Sequence, residues 1–326
     1  MQVILLIGMP GSGKSTVGRK VAELLGFKFF DGDEEIEKAH PDRQAFLDKN
    51  GDEAYVAMEA DTLMKLPMQN AVLAPGGSII YAQKAMNHFG SCFKAYTKAS
   101  IRTVEGNLSK IDIDQRGIVG LKQKGIRKLY EERTPLYEKY ADFTVTVDSK
   151  GEEAVAEEIA HAYSVQQLIK PRTSITYVST NDASKATFTE ALLQGLAPDK
   201  GLYVPNLFPQ FSLEEISLMK HLRYPELALV IMRQFVDIPD EQLSIMCHEA
   251  YTFDIPIEKH EQMFITRFDQ GPSLSFKDFA AQLLARMMDY CVKKHGKKLI
   301  VLTATSGDTG GAVAAAFCKV KGAKAV

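Results

Sequence analysis

The sequence has no tryptophan, and its four cysteines, Cys92, Cys247, Cys291 and Cys318, stand far apart with no C-x-x-C pair among them. That spacing excludes a disulfide framework or thiol-ligated zinc site and suits reduced thiols. A second zinc signature also fails, because His248-Glu249 is followed by Thr252 where H-E-x-x-H needs a histidine. Charge of one sign is not in excess: 39 basic and 41 acidic residues leave a net charge of -2, which gives no general drive toward nucleic acid or anionic membranes. The lysines at 293, 294, 297 and 298 read as the solvated end of a helix rather than a basic stripe. No apolar run is long enough to span a bilayer, and the amino terminus enters an apolar strand at once with no leader. The expectation is a cytoplasmic protein acting on small molecules, with no nucleic-acid or membrane partner; a homo-oligomer is left open.

What is present is phosphate chemistry. Gly8 to Ser15 reads GMPGSGKS and satisfies G-x-x-x-x-G-K-[ST]. The apolar run Gln2–Ile7 predicts a buried parallel strand, and Val17, Val21, Leu24 and Leu25 recur at helical spacing after it. Gly8, Gly11 and Gly13 allow successive N–H groups to face one point at a helix N-terminus. Lys14 would reach the β/γ-phosphates of ATP, and the Ser15 hydroxyl would ligate Mg2+.

Gly26 is a natural left-handed cap for the first helix, and Phe27–Phe30 predicts a second strand. Alternation along that strand would set Asp31 and Asp33 on one side at its carboxyl end, one toward the metal shell and the other toward an acceptor hydroxyl. A polar helical region, 34–66, precedes a strand at 71–74 that runs into Pro75-Gly76-Gly77-Ser78, where paired glycines admit a substrate close to the backbone.

These segments together resemble the shikimate kinase family: GMPGSGKSTVGR (8–19), FFDGDEEIE (29–37), GDEAYVAME (51–59), VLAPGGS (72–78) and ERTPLYEKYAD (132–142) occur in the family's order. The resemblance implies a P-loop, three-layer parallel-sheet kinase domain. Its nucleotide-binding set would be Gly8, Gly11, Ser12, Gly13, Lys14, Ser15 and Thr16. Asp31 becomes a magnesium-side carboxylate and Asp33 an acceptor-hydroxyl contact, while Gly76 and Gly77 floor the acceptor pocket. Arg133 would meet the substrate carboxylate, and Arg116 falls where the family carries a lid and a phosphate-contacting arginine. One departure stands out: the family pattern has an arginine directly after the aromatic residue of GDEAYVAME, and this chain has Val56 after Tyr55. A charge-assisted hydrogen bond is worth about 1.5–3 kcal/mol, so losing that arginine would weaken carboxylate binding roughly ten- to a hundredfold. Shikimate as acceptor is therefore in question; the competing candidate, suggested by the second half of the chain, is homoserine, with Asp33 pairing its ammonium and Arg133 its carboxylate.

Val155, Ile159 and Tyr163 recur every fourth residue in a helix expected over 152–163, and 165–172 reads as a connection, placing a domain boundary near 170. The domains are thus expected over 1–170 and 171–326. In the second, a strand is expected over 173–178, a short helix over 187–194, and core-packing helices over 213–221, 224–235 and 240–251. Two glycine-containing loops lead into helices: GPSLSFKDFAAQLLARMM (271–288) and LTATSGDTGGAVAAAF (302–317), the latter after a strand at 299–302. Lys277, at the start of its helix and flanked by Phe276 and Phe279, has the setting in which a neutral amine is favoured.

With the STN...GLAPDKGLYVP stretch (179–205), these segments resemble the amino-terminal part of the threonine synthase family. That implies the front portion of a pyridoxal-phosphate fold type II enzyme, tryptophan synthase β-like, which converts O-phosphohomoserine to threonine. By the resemblance Lys277 is the Schiff-base lysine. Thr305, Ser306, Gly307 and Thr309 form the loop at the substrate carboxylate, with Asp308 beside the cofactor. No further glycine-rich cradle for the cofactor phosphate follows Phe317. The pyridoxal phosphate site is accordingly expected to be incomplete in this chain, with weak or no binding. The leading expectation is a bifunctional fusion of a small-molecule kinase and a threonine synthase. The alternative is a degenerate nucleotide-binding regulatory domain attached to a synthase.

Overall fold

A computed structural model describes residues 2–110, 117–169, 175–181, 184–296, 298–321 and 323–325. The chain forms two compact units, Met1–Ser164 and Val165–Val326.

In the first unit the elements follow as β1 (Val3–Ile7), α1 (Lys14–Leu25), β2 (Lys28–Asp31), α2 (Gly32–Ala39), α3 (Arg43–Leu63), β3 (Ala71–Ala74), α4 (Gln83–His88), β4 (Phe93–Lys98), α5 (Ile101–Leu108), α6 (Leu121–Tyr140), β5 (Phe143–Thr146) and α7 (Glu152–Leu168). The strands form one parallel sheet in the order β2-β3-β1-β4-β5, with Val3 beside Ala71 and Ile7 beside Tyr96. Every residue of β1 and β3 is buried. Since successive side chains point to opposite faces, helices must cover both faces of the sheet, which is why these strands read as unbroken apolar runs.

Gly26 caps α1 with φ 69° and its N–H donates to Ala22 and Glu23 carbonyls, as the sequence predicts. Gly18 is where α1 meets the sheet: a Cβ there would stand 2.5 Å from the Phe29 ring and 3.0 Å from Leu6. Val155, Ile159 and Tyr163 are all buried, and the Tyr163 ring meets Phe27 and Phe93 edge to face. Here α7 departs from expectation. It continues to Leu168, through much of the segment read as a connection, and Ser164 returns its hydroxyl to the Ala160 carbonyl instead of breaking the helix.

The second unit contains β6 (Tyr177–Ser179), β7 (Lys185–Ala186), α8 (Phe188–Gln194), β8 (Tyr203–Pro205), α9 (Leu213–Met219), α10 (Tyr224–Met232), α11 (Asp240–Ala250), β9 (Ile257–His260), β10 (Met263–Thr266), α12 (Asp278–Lys294), β11 (Leu299–Val301), α13 (Asp308–Phe317) and β12 (Ala323–Ala325). Strands β6, β7 and β8 pair antiparallel, as do β9 and β10, whereas β11 and β12 pair in parallel. Capping boxes at Thr187/Glu190 and Ser212/Glu215 start α8 and α9. One core joins Leu229, Leu243, Met246, Cys247, Leu283 and Met287 from α10, α11 and α12. A second is built from Ala281 and Ala285 of α12 with Ala312, Ala316 and Phe317 of α13. Small residues on both helices let these backbones approach closely. Among the described residues no helix is long and apolar enough to cross a membrane.

Candidate functional site

The phosphate loop leaves the buried end of β1 with Gly8 at φ 150°, Gly11 at 80° and Gly13 at 81°. A Cβ on Gly8 would stand 2.8 Å from both the carbonyl and the hydroxyl oxygen of Thr97, so this position requires glycine on space as well as on φ. Neighbouring elements fix the loop from outside. Ser12 Oγ hydrogen-bonds Thr97 Oγ1 of β4 at 2.9 Å, and Asn107 Nδ2 of α5 donates to the Gly11 carbonyl at 2.9 Å. Lys14 is buried and donates to the Gly8 and Met9 carbonyls, each at 2.8 Å.

Gly11, Gly13, Lys14, Ser15 and Thr16 line a cavity of about 330 Å³, together with Asp33, Glu59, Gly76, Gly77 and Arg133. Residues expected from widely separated motifs thus converge on one space. Gly8 and Ser12 lie outside its lining and shape the loop. Arg116 lies outside the described residues.

The two aspartates behave differently from the strand-alternation expectation. Asp31 ends β2 and Asp33 is already inside α2, so they do not share a strand face. Asp31 Oδ1 accepts from the Asp33 N–H at 3.0 Å, making Asp31 the N-cap of α2, and it does not line the cavity. Asp33 does, with Arg43 beside it: Nη1 donates to the Asp33 carbonyl at 3.1 Å and lies 3.8 Å from Oδ1.

Arg133 is fully buried. Its Nη2 donates to the Val119 carbonyl at 2.8 Å, Nε donates to the Tyr81 hydroxyl at 3.2 Å, and the guanidinium lies over the Tyr81 ring. Among the described residues Nη1 has no hydrogen-bond partner, although a buried N–H normally does. Tyr137 supports the floor by donating to the Gly77 carbonyl at 2.7 Å.

Glu59 was not anticipated from the sequence. Tyr55, Val56, Glu59, Ala60 and Leu63 form one buried stripe of α3, and Glu59 is 1% exposed within it. Its Oε2 accepts from Ser78 Oγ at 2.6 Å and the Gly76 backbone also donates to the carboxyl. Burial pushes this carboxyl up to about 7, against the lowering effect of the Ser78 hydrogen bond. The available signal was a glutamate interrupting an apolar helical stripe, at i+4 from Tyr55.

The second unit brings its two loops together. Lys277 precedes α12 and Asp308 opens α13, and Lys277 Nζ is 3.8 Å from Asp308 Oδ2. The alanine contacts described above, one and two turns into each helix, place both N-termini at the same end, a setting that favours anions. Asp278 clamps the loop before Lys277: its Oδ2 accepts from Ser273 N at 2.8 Å and Ser273 Oγ at 2.9 Å. Lys277 lies over the Phe276 ring, 4.3 Å from its centroid. Phe279, expected to flank the amine, turns instead into a ring cluster with Tyr224, Phe253 and Phe268. In the second loop, Thr305 Oγ1 accepts from Gly307 N at 3.2 Å, and Thr305 to Asp308 are exposed, with Thr309 half-buried.

Comparison with known proteins agrees with this division. A shikimate kinase family model matches residues 10–164, and one for the threonine synthase N terminus matches 176–251. Threonine synthase-like 1 of Mus musculus is 31% identical over 336 residues, covering 96% of this chain and 45% of that protein. The chain therefore spans about half the length of that relative. Among solved structures, pyridoxal phosphate-bound threonine synthase of Brucella melitensis is 41% identical with TM-score 0.45, over 47% of this chain and 35% of that one. Shikimate kinase of Acinetobacter baumannii in complex with shikimate is 25% identical with TM-score 0.44, over 52% and 96%. The chain thus carries a parallel-sheet α/β unit that matches the shikimate kinase family over residues 10–164, followed by a stretch, 176–251, that matches the threonine synthase N terminus.

Proposed function

We propose that the first unit is an ATP-dependent small-molecule kinase and that the second supplies the front portion of a pyridoxal-phosphate-dependent threonine synthase. The observation that carries the kinase reading is the single cavity joining Lys14, Ser15 and Thr16 to Asp33, Gly76, Gly77 and Arg133. The loop N–H groups and Lys14 would hold the ATP phosphates. Lys14 would exchange its two carbonyl partners for phosphate oxygens. The acceptor hydroxyl oxygen would bond to the γ-phosphorus as the bond from that phosphorus to the ADP oxygen breaks, and its proton would pass to Asp33.

The donor set suits a Mg2+ held mainly by phosphate oxygens with Ser15. Among the described residues no group of three His, Cys, Asp or Glu side chains could hold a metal alone. Asp31, as a helix cap, is the weaker of the two aspartates for that shell.

For the acceptor, homoserine is preferred to shikimate because the adjoining unit resembles an enzyme that consumes O-phosphohomoserine, the phosphorylation product of homoserine; both acceptors carry a carboxylate, so the missing cation at Val56 weighs on each alike. In the second unit, Lys277, flanked by Asp308 and two helix N-termini, fits a lysine that bonds pyridoxal phosphate. That cofactor would supply an electron sink for phosphate elimination. The partners proposed are small-molecule substrates. An ADP-release assay with homoserine and with shikimate tests the kinase reading: turnover of homoserine is expected, turnover of shikimate alone would overturn the acceptor assignment, and ADP binding without turnover of either would favour a regulatory nucleotide domain.

A further inference from the structure

The acceptor end of the cavity carries two buried ionisable side chains of opposite sign on either side of the Gly76-Gly77 pair. A Cβ on Gly76 would lie 2.3 Å from Glu59 Oε1, and one on Gly77 would lie 3.1 Å from Arg133 Nη1. The two glycines therefore form a floor with a carboxylate against one residue and a guanidinium against the next. Neither group is in an ion pair among the described residues: Glu59 is met by the neutral donors Ser78 Oγ and Gly76 N–H, and Arg133 by the Val119 carbonyl and the Tyr81 hydroxyl. Among the described residues Arg133 Nη1 makes no hydrogen bond.

Val56 leaves the carboxylate without an ion-pair partner from its own helix. It lies three residues before Glu59 on the same buried stripe and, with Arg133, lines an adjoining cleft. An arginine at that spacing could pair with Glu59; a valine cannot. The charged side chains at this end of the cavity are Asp33, with Arg43 at 3.8 Å from its carboxylate, then Glu59 and Arg133, with Lys14 engaged at the phosphate loop. An acceptor bearing only a carboxylate would add a further anion near the buried Glu59, whereas one bearing an ammonium as well would relieve it.

We propose that Glu59 and Arg133 read a zwitterion, so that the acceptor is an α-amino acid with a side-chain hydroxyl, its ammonium directed to Glu59 and its carboxylate to Arg133 Nη1. This rests on the kinase reading above and adds the residue that sets its specificity. Asp33 is left to handle the hydroxyl, which separates the recognition of the amine from the chemistry.

The test is calorimetric titration of the whole chain with ADP present, using homoserine and 4-hydroxybutanoate, which differ only by the amine. Wild type should bind homoserine about tenfold or more tightly over 4-hydroxybutanoate, the worth of one charge-assisted hydrogen bond. Glu59→Gln should bring the two ligands near parity, with thermal unfolding confirming that the variant is folded. Val56→Arg, which gives Glu59 a competing cation and both ligands the same extra carboxylate contact, should reduce the preference for homoserine over 4-hydroxybutanoate by about tenfold. Equal binding of both ligands to wild type, discrimination that survives in Glu59→Gln, or binding of neither ligand while ADP binds would each overturn the zwitterion proposal. Phosphorylation of shikimate would overturn it and leave the kinase reading standing, whereas failure of the chain to bind ADP would overturn the kinase reading itself.

Discussion

Replacing Glu59 by glutamine should remove a pH-dependent loss of stability from the first unit. In the unfolded chain this carboxyl titrates near its ordinary value of 4.5, and in the folded protein near about 7. Between the two, the native state holds a proton that the unfolded chain has released. Stability therefore falls as pH rises through that window and levels off above it. A shift of this size corresponds to roughly 3 kcal/mol at about 1.4 kcal/mol per unit. The group is fully buried, so solvent does not screen the effect away. Glutamine keeps the size and can still meet Ser78 and Gly76, but has no proton to lose. Calorimetric unfolding of both proteins at about pH 5 and about pH 8 should show the wild type losing roughly 2.5 kcal/mol relative to the variant, since part of the window lies below about pH 5. Parallel pH profiles would refute the assignment of Glu59 as a carboxyl raised by burial. An amino-acid acceptor bound at Glu59 should favour the ionised form and make binding release a proton below about pH 7, visible as a buffer-dependent heat.

Three other substitutions test the remaining groups. Lys14→Ala should weaken ADP roughly ten- to a hundredfold in titration calorimetry, the loss of one charge-assisted contact to phosphate; unchanged affinity would remove Lys14 from the nucleotide site. Arg133→Met should raise the acceptor KM by a similar factor and leave the KM for ATP nearly unchanged, with Arg133→Lys recovering part of the loss. Pyridoxal phosphate added to the chain should label Lys277 weakly, because the loop around Asp308 is open to water. A stable visible absorbance band that disappears in Lys277→Ala would contradict this.

Local features of the chain were the ones readable from sequence. The phosphate loop combines an apolar run, fixed glycine spacing and a helical period within about two dozen residues, and β1, α1 and the Gly26 cap follow from them. The 71–74 strand and the helix start at Thr187 are legible for the same reason. Asp31 and Asp33 were misplaced relative to each other because a short polar segment can extend a strand or cap a helix, and the Asp31 carboxylate on the Asp33 N–H decides for the cap. The burial of Glu59 and Arg133 depends on how α3 and α6 close over Gly76 and Gly77, which no local pattern encodes. The approach of Lys277 to Asp308 depends likewise on the alanine contacts between α12 and α13.

The attachment of the phosphate loop to β4 and α5 has a consequence for how the site came to be inexpensive to fill. A loop with three glycines at positive φ would wander if left alone, and capturing phosphate would first require freezing it. Ser12 on Thr97 and Asn107 on the Gly11 carbonyl complete that ordering when the domain folds. The entropy is lost once, during folding, and nucleotide arriving later meets amides that already point inward. Changes in β4 or α5 that touch no ligand would thus reach the nucleotide through the loosening of this loop.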